Sequence, residues 1–428
     1  MSVPVISLVA LLLVIVASVV FSSLNIGALA LAVSLVVSWF GGVKVDQIVK
    51  GYPTSLFILL AGTTYLFSIA NTNGTLEKIS KYAVKAVRGR AALLPIALFF
   101  LAFGLSAMGP GQITTSALLS GPAMLLADEV GISPLLMALV VGNGAQAGAM
   151  SPIAPPGIIS ANILAKVGLT GVSGYLWLNM LIVHAAVTVL AYFLFGGVKL
   201  WRSGTRESAV ALLDVKVEPF TGSQLATMGG VLLLIVSVIV SALPQWKLPK
   251  VDLGLGAFLV GSLLSLFKAV DEPKAIKGMP WGTILMVTGV TVLVNLMSDV
   301  GGMDLFANLI AKMSTAGTVT LVAGFWAGLV SAYASTTGVI LPAFLPMAKP
   351  LLQQVGGTDL LALVSSIIVC GFIVDLSPLS TTGAVFISNA GPKANKNKLF
   401  RDMLIWGLSM SVVGAVVSWL AFTVLGLP

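Results

Sequence analysis

Charged residues are scarce in this sequence. They make up 9% of its 428 residues, whereas soluble globular chains carry about 25%, and hydrophobic residues make up 57%. Residues 1–24 contain no charge, and 177–198 contain no Asp, Glu, Lys or Arg and only His184 among imidazoles. Because roughly 20 apolar residues cross the hydrocarbon core of a bilayer, we predict an integral membrane protein in contact with lipid.

Cysteine and histidine are nearly absent as well. Cys370 is the only cysteine, which excludes a disulfide framework and a thiolate metal cluster. His184 has no acid within a helical turn, so we expect a structural hydrogen-bond donor rather than a proton relay. An intramembrane protease would need a paired Ser/His or Asp/Asp constellation, which His184 and Asp375 do not supply. The net charge of +8 comes from Lys and Arg between apolar stretches, so nucleic acid is not an expected partner.

Apolar stretches of spanning length recur along the chain. Two of the stretches, 92–127 and 317–352, are too long for one span and break at small or polar residues, 109–112 and 334–338. These breaks predict re-entrant hairpins, since such backbone persists in a membrane only inside protein or along a cavity. We predict ten ordinary spans, near 3–24, 26–42, 53–73, 135–168, 174–197, 223–244, 253–269, 281–300, 359–390 and 403–426.

Basic residues decide the predicted orientation. If each hairpin leaves on the side it entered, the basic clusters within 78–90, 199–206, 268–277 and 393–401 all lie on one side, which is then the cytoplasmic side. Both termini are therefore predicted to be periplasmic or extracellular in a multi-pass protein of the plasma (inner) membrane. Residues 75–88 are predicted to form an amphipathic helix on the cytoplasmic surface.

The sequence repeats itself at a nearly constant offset. Lys50–Pro53 matches Lys277–Pro280 at an offset of 227, and Ser151–Gly157 matches Ser377–Gly383 at 226. Five spans and one hairpin thus occur in 1–197 and again in 223–428, with 198–222 as a cytoplasmic linker. Since five is odd, the second copy lies inverted. The predicted fold class is an all-α membrane protein with two inverted repeats, about ten transmembrane helices, two re-entrant hairpins and two broken helices.

Inverted repeats with interrupted segments are typical of secondary transporters, whose site lies near the midplane between the repeats. At each break, free N–H groups suit a carboxylate and free carbonyls suit a hard cation such as Na⁺. The tips and breaks contain no Lys or Arg, so a small anionic substrate needs a co-bound cation for neutralisation. We expect Na⁺ as the coupling ion and no other cofactor.

The same stretches resemble the ion transporter superfamily. That family carries Ser-Asn-Thr at both hairpin tips, where this chain has Gln112–Ser116 and Ser335–Thr337, and Gly142–Gly157 is close to MatC-type sequences. The nearest groups are the divalent anion–sodium symporters and the MatC-type malonate and dicarboxylate carriers. The resemblance implies sodium-coupled symport of a malonate- or succinate-like dicarboxylate by an elevator mechanism, in a homodimer. The asparagine of the family's tips is absent from both.

The candidate site residues lie at the tips and breaks. Hydroxyl groups donate to a carboxylate without the burial of a permanent charge. Asp375 is the one acid inside a span beside a break, and it would repel a dicarboxylate that it faced directly, so we predict a cation ligand. Asn143 and Gln146 are assigned equally to ligating a cation or to holding the unwound backbone. The predicted substrate residues are Gln112, Thr114, Thr115, Ser151, Pro155, Ser335, Thr336, Thr337, Ser377, Thr381 and Thr382. The predicted Na⁺ residues are Asn143, Gly148, Ser331, Ala334 and Asp375.

Two alternatives use the same architecture. A proton-coupled carboxylate carrier, or a cation/proton antiporter of the same superfamily, would use Asp375 as a proton carrier. A passive channel agrees with the composition, but an inverted repeat with two hairpins favours alternating access.

Overall fold

The computed structural model describes residues 2–21, 24–85, 92–202, 218–242, 249 and 251–427, and every regular element in these ranges is helical. The first half contains α1 (Val3–Val20), α2 (Ile26–Gly41), α3 (Val45–Lys50), α4 (Thr54–Thr72), α5 (Thr75–Lys85), α6 (Leu93–Ala107), α7 (Gly111–Val130), α8 (Pro134–Ala149), α9 (Pro155–Lys166), α10 (Ser173–Leu194) and α11 (Gly197–Arg202). The second half contains α12 (Gly222–Ala242), α13 (Leu253–Leu266), α14 (Glu272–Lys277), α15 (Trp281–Asp299), α16 (Gly302–Ala311), α17 (Val319–Ser331), a π-helix (Thr336–Ile340), α18 (Leu341–Gln354), α19 (Leu360–Val374), α20 (Thr381–Ser388), α21 (Lys396–Ser418) and a second π-helix (Trp419–Val424).

The predicted spans all contain helix, and the two longest are each split in two. Residues 135–168 form α8 and α9, and 359–390 form α19 and α20. Proline causes these splits, because Pro152 and Pro378 have no N–H to continue a helix. Among the described residues, four helices have the length and apolarity of a complete span, namely 54–72, 173–194, 281–299 and 396–424.

The first hairpin, α6 and α7, has both of its ends at one side of the molecule. The hydroxyl of Tyr192, near the end of α10, donates to the carbonyl of Ala92 at 3.0 Å. At the other end, the backbone N–H of Lys393 donates to the Asp128 carboxylate at 2.9 Å. Asp128, Phe195 and Lys393 also line one crevice, so the loops that follow α7, α10 and α20, all predicted to be cytoplasmic, lie on a common side, hereafter the basic side.

The second hairpin, α17 with the π-helix and α18, has both of its ends at the opposite side. The Trp419 indole N–H donates to the carbonyl of Gly317 at 2.6 Å, and the Lys349 ammonium donates to the carbonyl of Val167 at 3.1 Å. The two hairpins thus have their ends at opposite sides of the molecule, and their re-entrance into the membrane stays a prediction. Which side faces the cytoplasm stays a prediction from the charges.

The two halves of the chain cross each other at two pairs of glycines. α2 crosses α15 at Gly27 and Gly289, and α4 crosses α13 at Gly62 and Gly254. A Cβ added to Gly289 would lie 2.7 Å from the Gly27 Cα, and one added to Gly62 would lie 2.8 Å from the Gly254 carbonyl carbon. Gly254 and Gly289 each follow their counterparts, Gly27 and Gly62, by 227 residues. The same crossing therefore occurs twice with the halves exchanged, as two-fold related repeats require; the inversion itself stays a prediction.

The surface helix α5 holds the end of the linker. Its amphipathic sequence was predicted to extend over 75–88, and the described helix ends at Lys85. The Lys78 ammonium donates to the carbonyl of Pro219 at 2.9 Å, and the Tyr82 ring stacks on Phe220 at 5.3 Å. Residues 86–91, which include the end of the predicted amphipathic helix, lie outside the described residues. So do residues 203–217 of the predicted linker, 198–222.

Candidate functional site

The tips of the two hairpins meet inside the protein. The first tip is the turn 108–110, where Gly109 has a φ of +132°, a conformation that side chains disfavour. The second tip begins at Ser335, whose hydroxyl accepts the Gly338 N–H at 3.2 Å and so caps the π-helix. The Gln112 amide donates to the Thr337 hydroxyl at 2.7 Å, and both residues are buried. Two predicted substrate residues, 225 positions apart, are thus in direct contact.

A small cavity lies beside this contact, with a volume of about 30 Å³. A volume of that size holds little more than one water molecule, whereas ligand pockets typically have about 300–1,000 Å³. The hairpins and α9 supply one wall, which includes the predicted residues Gln112, Thr114, Pro155 and Thr337. The opposite wall comes from α4 and from the start of α15, with Leu60, Thr64, Pro280, Thr283 and Ile284. The structure is therefore closed around the predicted substrate residues.

Asp375 lies at the break that follows α19, and only 1% of its surface is exposed. Its Oδ2 accepts hydrogen bonds from the Thr382 hydroxyl at 3.1 Å and from the Gln146 amide at 3.4 Å. Its Oδ1 has no hydrogen-bond partner, and neither does the nearby Gln146 Oε1, among the described residues. No described Lys, Arg or His forms an ion pair with this carboxylate. The break thus joins α8 of the first half to α19 and α20 of the second through an acid for which the described residues supply no counter-charge.

The second tip is bound to α19 next to this acid. The hydroxyls of Ser331 and Thr336 lie 2.6 Å from each other and 2.8 and 3.0 Å from the Gly371 carbonyl oxygen, so the three groups share the two hydroxyl hydrogens. The backbone of Thr336 also lies close to the Asp375 carboxylate. Ser331, predicted for Na⁺, and Thr336, predicted for the substrate, therefore belong to the same polar cluster as Asp375.

Buried hydroxyls also lie in the helices on both sides of the first tip. Among the described side chains, the hydroxyls of Thr115, Ser116 and Ser106 are buried and make no hydrogen bond. An unpaired buried hydroxyl costs about 1–3 kcal/mol, so such a group is retained where something else uses it. Thr115 is among the predicted site residues, whereas no sequence pattern distinguishes Ser106, which lies at the end of an apolar helix.

Ser380 belongs to the polar cluster and is not among the site residues predicted from the sequence. Its hydroxyl donates to the carbonyl of Asp375 at 2.5 Å and to that of Ser377 at 2.9 Å, and it accepts the Gly383 N–H at 3.2 Å. It therefore closes the break and caps α20. Serine is a preferred N-cap residue, and its position just before Thr381–Gly383 was a signal that could have identified it.

Thr381 lies outside the polar cluster, and its predicted role in substrate binding stays a prediction. Thr381 is exposed at the first position of α20 and makes none of the hydrogen bonds described for the cluster. Consecutive helical residues point in different directions, and only Thr382 faces Asp375.

Two predicted serines pack inside the protein. Ser377 packs on α21, where a Cβ added to Gly407 would lie 3.1 Å from the Ser377 Cβ. Ser151 is buried, and its backbone carbonyl accepts the Ala154 N–H at 3.0 Å in the first break.

Asn143 is engaged by a helix neighbour and by His184. Its amide donates to the Leu139 carbonyl at 2.8 Å, and its Oδ1 lies 2.8 Å from His184 Nδ1. With the amide oxygen as acceptor, Nδ1 of His184 donates, which is the structural role predicted for this histidine. Of the two roles left open for Asn143, the geometry therefore favours structural support over cation ligation.

The remaining predicted cation positions are backbone groups at the ends of their helices. The Gly148 carbonyl accepts the Ser151 N–H at 3.1 Å, and the Ala334 N–H donates to Val330 at 3.0 Å. Both groups thus close turns beside the breaks and tips.

Two family models match the chain. The model described as the N-terminus of the dicarboxylate carrier protein MatC matches residues 1–149, and the model of the citrate transporter matches 242–427. The resemblance to the ion transporter superfamily is therefore confirmed. Both models describe carriers, and together they include the two hairpin tips and the break at Asp375, while the first break follows directly after the end of the MatC match.

Curated relatives and a solved structure are also similar to this chain. Two uncharacterized transporters of Mycobacterium tuberculosis, from strains CDC 1551 / Oshkosh and ATCC 25618 / H37Rv, are 24% identical over 291 residues, which is 65% of this chain and 64% of each relative. The crystal structure of the Alcanivorax borkumensis YdaH transporter superposes on this chain with a TM-score of 0.55 at 15% sequence identity. The superposition includes 89% of this chain and 88% of the YdaH chain. That similarity establishes an all-helical membrane-transporter fold.

Proposed function

We propose that the chain is a secondary active transporter that carries a small dicarboxylate, such as malonate or succinate, across the plasma membrane together with sodium. The carrying observation is Asp375, a buried acid without a described counter-charge, beside the meeting point of two hairpin tips. An ionised carboxylate inside a membrane needs a partner charge, so a cation at this break would stabilise it. Its position next to hydroxyls and freed carbonyls, rather than next to a base, supports Na⁺.

The groups on the tip side of the cavity support an anionic substrate. Gln112, Thr114 and Thr337 offer neutral donors, and the N-terminus of α7 begins at Gly111 beside them. A helix N-terminus favours negative charge through its dipole and its free N–H groups. A dianion at this wall would share the cation with Asp375, because Thr336 and Thr337 are adjacent in the second tip.

The position of the cavity supports an elevator mechanism. One of its walls belongs to the hairpins and α9, and the other belongs to α4 and α15, which carry the glycine crossings. A dicarboxylate does not fit into about 30 Å³, so binding requires that the two walls separate. Sliding of the hairpin side against the α4–α15 side would open the site to each face in turn. We further propose a homodimer, which the superfamily resemblance implies.

Proton coupling is the second candidate, and one observation favours it. Asp375 Oδ1 and Gln146 Oε1 are both acceptors and both lack a partner among the described residues. A proton on Asp375 would neutralise the acid and would supply the missing donor. The same break would then serve a proton-coupled carboxylate carrier or a cation/proton antiporter.

Uptake of labelled malonate and succinate into proteoliposomes tests both candidates. We expect uptake to require sodium and to be lost when choline replaces it. Asp375→Asn removes the charge and keeps the shape, so it should lower the apparent sodium affinity strongly and leave the ranking of substrates unchanged. The attraction between a carboxylate and a sodium ion about 4 Å apart is roughly 4 kcal/mol at an effective dielectric of about 20. The loss of sodium affinity therefore has an upper bound of about a thousandfold.

Asp359→Asn is the matched control, because Asp359 is exposed at the other end of α19 and asparagine preserves its cap on Ala362. It should behave like the wild type. If the Asp375→Asn variant keeps normal sodium activation but loses its pH dependence, the transporter is coupled to protons and not to sodium. Absence of carboxylate uptake, together with sodium- or proton-driven cation exchange, would instead establish an antiporter.

A further inference from the structure

A crevice of about 950 Å³ lies away from the hairpin tips, on the basic side. It forms where α7 and α10 end and where α8 and α21 begin. Its outer part is polar and includes Lys393 and Lys398, and its inner part is apolar and includes Phe195, Ile405 and Trp406. The crevice is thus amphipathic, with the charged end at the predicted membrane surface.

Two helix N-termini contribute positive potential to the polar end. α8 has Ser133 as its N-cap, and α21 has Asn395, and both residues line the crevice. The lysine ammonium groups add two formal charges, for which no carboxylate partner within 4.0 Å occurs among the described residues. Helix N-termini next to basic side chains favour an anion.

The two acids of the crevice are already engaged. The Asp128 carboxylate accepts the backbone N–H of Lys393 at 2.9 Å, and Asp402 forms an ion pair with Arg401 at 3.1 Å. These contacts partly offset the negative charge that the two acids present to a ligand.

Trp406 supplies an independent observation. Its side chain lines the crevice and is 6% exposed, and its indole N–H has no hydrogen-bond partner among the described residues. Its ring packs edge-on against Phe195 at 5.4 Å. A buried indole N–H normally finds an acceptor, and tryptophan is enriched where one end of a site is apolar and the other is polar.

We infer that this crevice binds an anionic phospholipid. The phosphate lies at Lys393, Lys398 and the N-termini of α8 and α21, an ester or phosphate oxygen accepts the Trp406 N–H, and an acyl chain extends along Ile405 toward the bilayer. A free phosphate would use the polar end and would leave the apolar part of the crevice without a function. Basic pockets between membrane helices on the cytoplasmic side are suited to anionic headgroups.

Native mass spectrometry of the full-length protein in detergent tests the inference, with phosphatidylglycerol, phosphatidylcholine and inorganic phosphate as probes. We expect phosphatidylglycerol to bind and phosphatidylcholine to bind far more weakly. A lysine near an anionic surface contributes roughly a factor of five, so K393Q/K398Q should weaken phosphatidylglycerol binding about twenty-five-fold. Trp406→Phe, which keeps the ring and removes the N–H, should weaken it several-fold.

The double variant K274Q/K277Q is the control, since both lysines are exposed on the predicted cytoplasmic side and lie outside the crevice. It should retain binding, and thermal unfolding should show that both double variants are folded. Equal binding of the two lipids, an equal loss in the control, or full displacement of the lipid by inorganic phosphate would each overturn the inference.

Discussion

The glycine crossings allow a quantitative test of how the two halves pack. Gly62→Ala and Gly289→Ala each place a Cβ against the backbone of the partner helix, 2.8 Å from the Gly254 carbonyl carbon and 2.7 Å from the Gly27 Cα. Carbon atoms pack at about 3.5–4.0 Å, so each helix pair has to separate by roughly 1 Å. Overpacking of this kind typically costs about 1–3 kcal/mol. Because the two crossings are related by the repeat, the two variants should lose similar amounts.

Thermal unfolding of the purified protein in detergent measures this effect. Gly229→Ala is the matched control, because Gly229 lies within α12 and an added Cβ there meets no atom within 4 Å. The control should be neutral or stabilising, since alanine favours a helix by about 0.5–1 kcal/mol over glycine. If Gly62→Ala and Gly289→Ala behave like this control, the close crossings do not exist. If only one of them destabilises, the halves are not packed as equivalent copies.

Three further changes test the polar cluster and its supports. Ser380→Ala removes the cap of α20, so it should lower the free energy of unfolding by about 1 kcal/mol and weaken sodium activation, whereas Ser380→Asn should restore the cap. Unchanged unfolding of the alanine variant would contradict the contacts described. His184→Phe leaves the Asn143 oxygen unpaired and should cost about 1–3 kcal/mol without changing the pH profile of uptake; a shifted pH profile would make the histidine a proton carrier. Gln112→Ala removes the hydrogen bond between the tips and should speed the labelling of a cysteine placed at Thr114 in a cysteine-free background; equal labelling rates would show that this bond does not hold the site closed.

The sequence predicted the positions of the helices because local signals set them. Several apolar helices begin at a cap or a proline that acts within a few residues, as at Asn25 before α2 and at Pro155 at the start of α9. Breaks in the middle of runs were recognisable for the same reason, since Pro152 and Pro378 cannot continue a helix. The predicted tips and breaks therefore contain most of the polar groups that the structure brings together.

Individual partners were harder to predict, because they depend on helix rotation and on packing between distant segments. Thr381 and Thr382 are neighbours in sequence, yet only Thr382 reaches Asp375, and no local pattern distinguishes them. The contact of Asn143 with His184 joins positions 41 residues apart on two helices. A sequence pattern places such residues near the membrane centre, while the choice of partner needs the packed helices.

The hydrogen bond between the two tips also has a consequence for biosynthesis. Gln112 and Thr337 are 225 residues apart, and translation at about 5–20 residues per second separates their appearance by roughly 10–45 seconds. During that interval the first hairpin has no second tip to receive its buried amide, and a polar group in lipid is costly. The nascent first half must therefore keep this tip in water, against the insertion machinery or in a temporary contact until the second half arrives. Variants that weaken the tip pairing should consequently lower the yield of membrane-inserted protein as well as its activity.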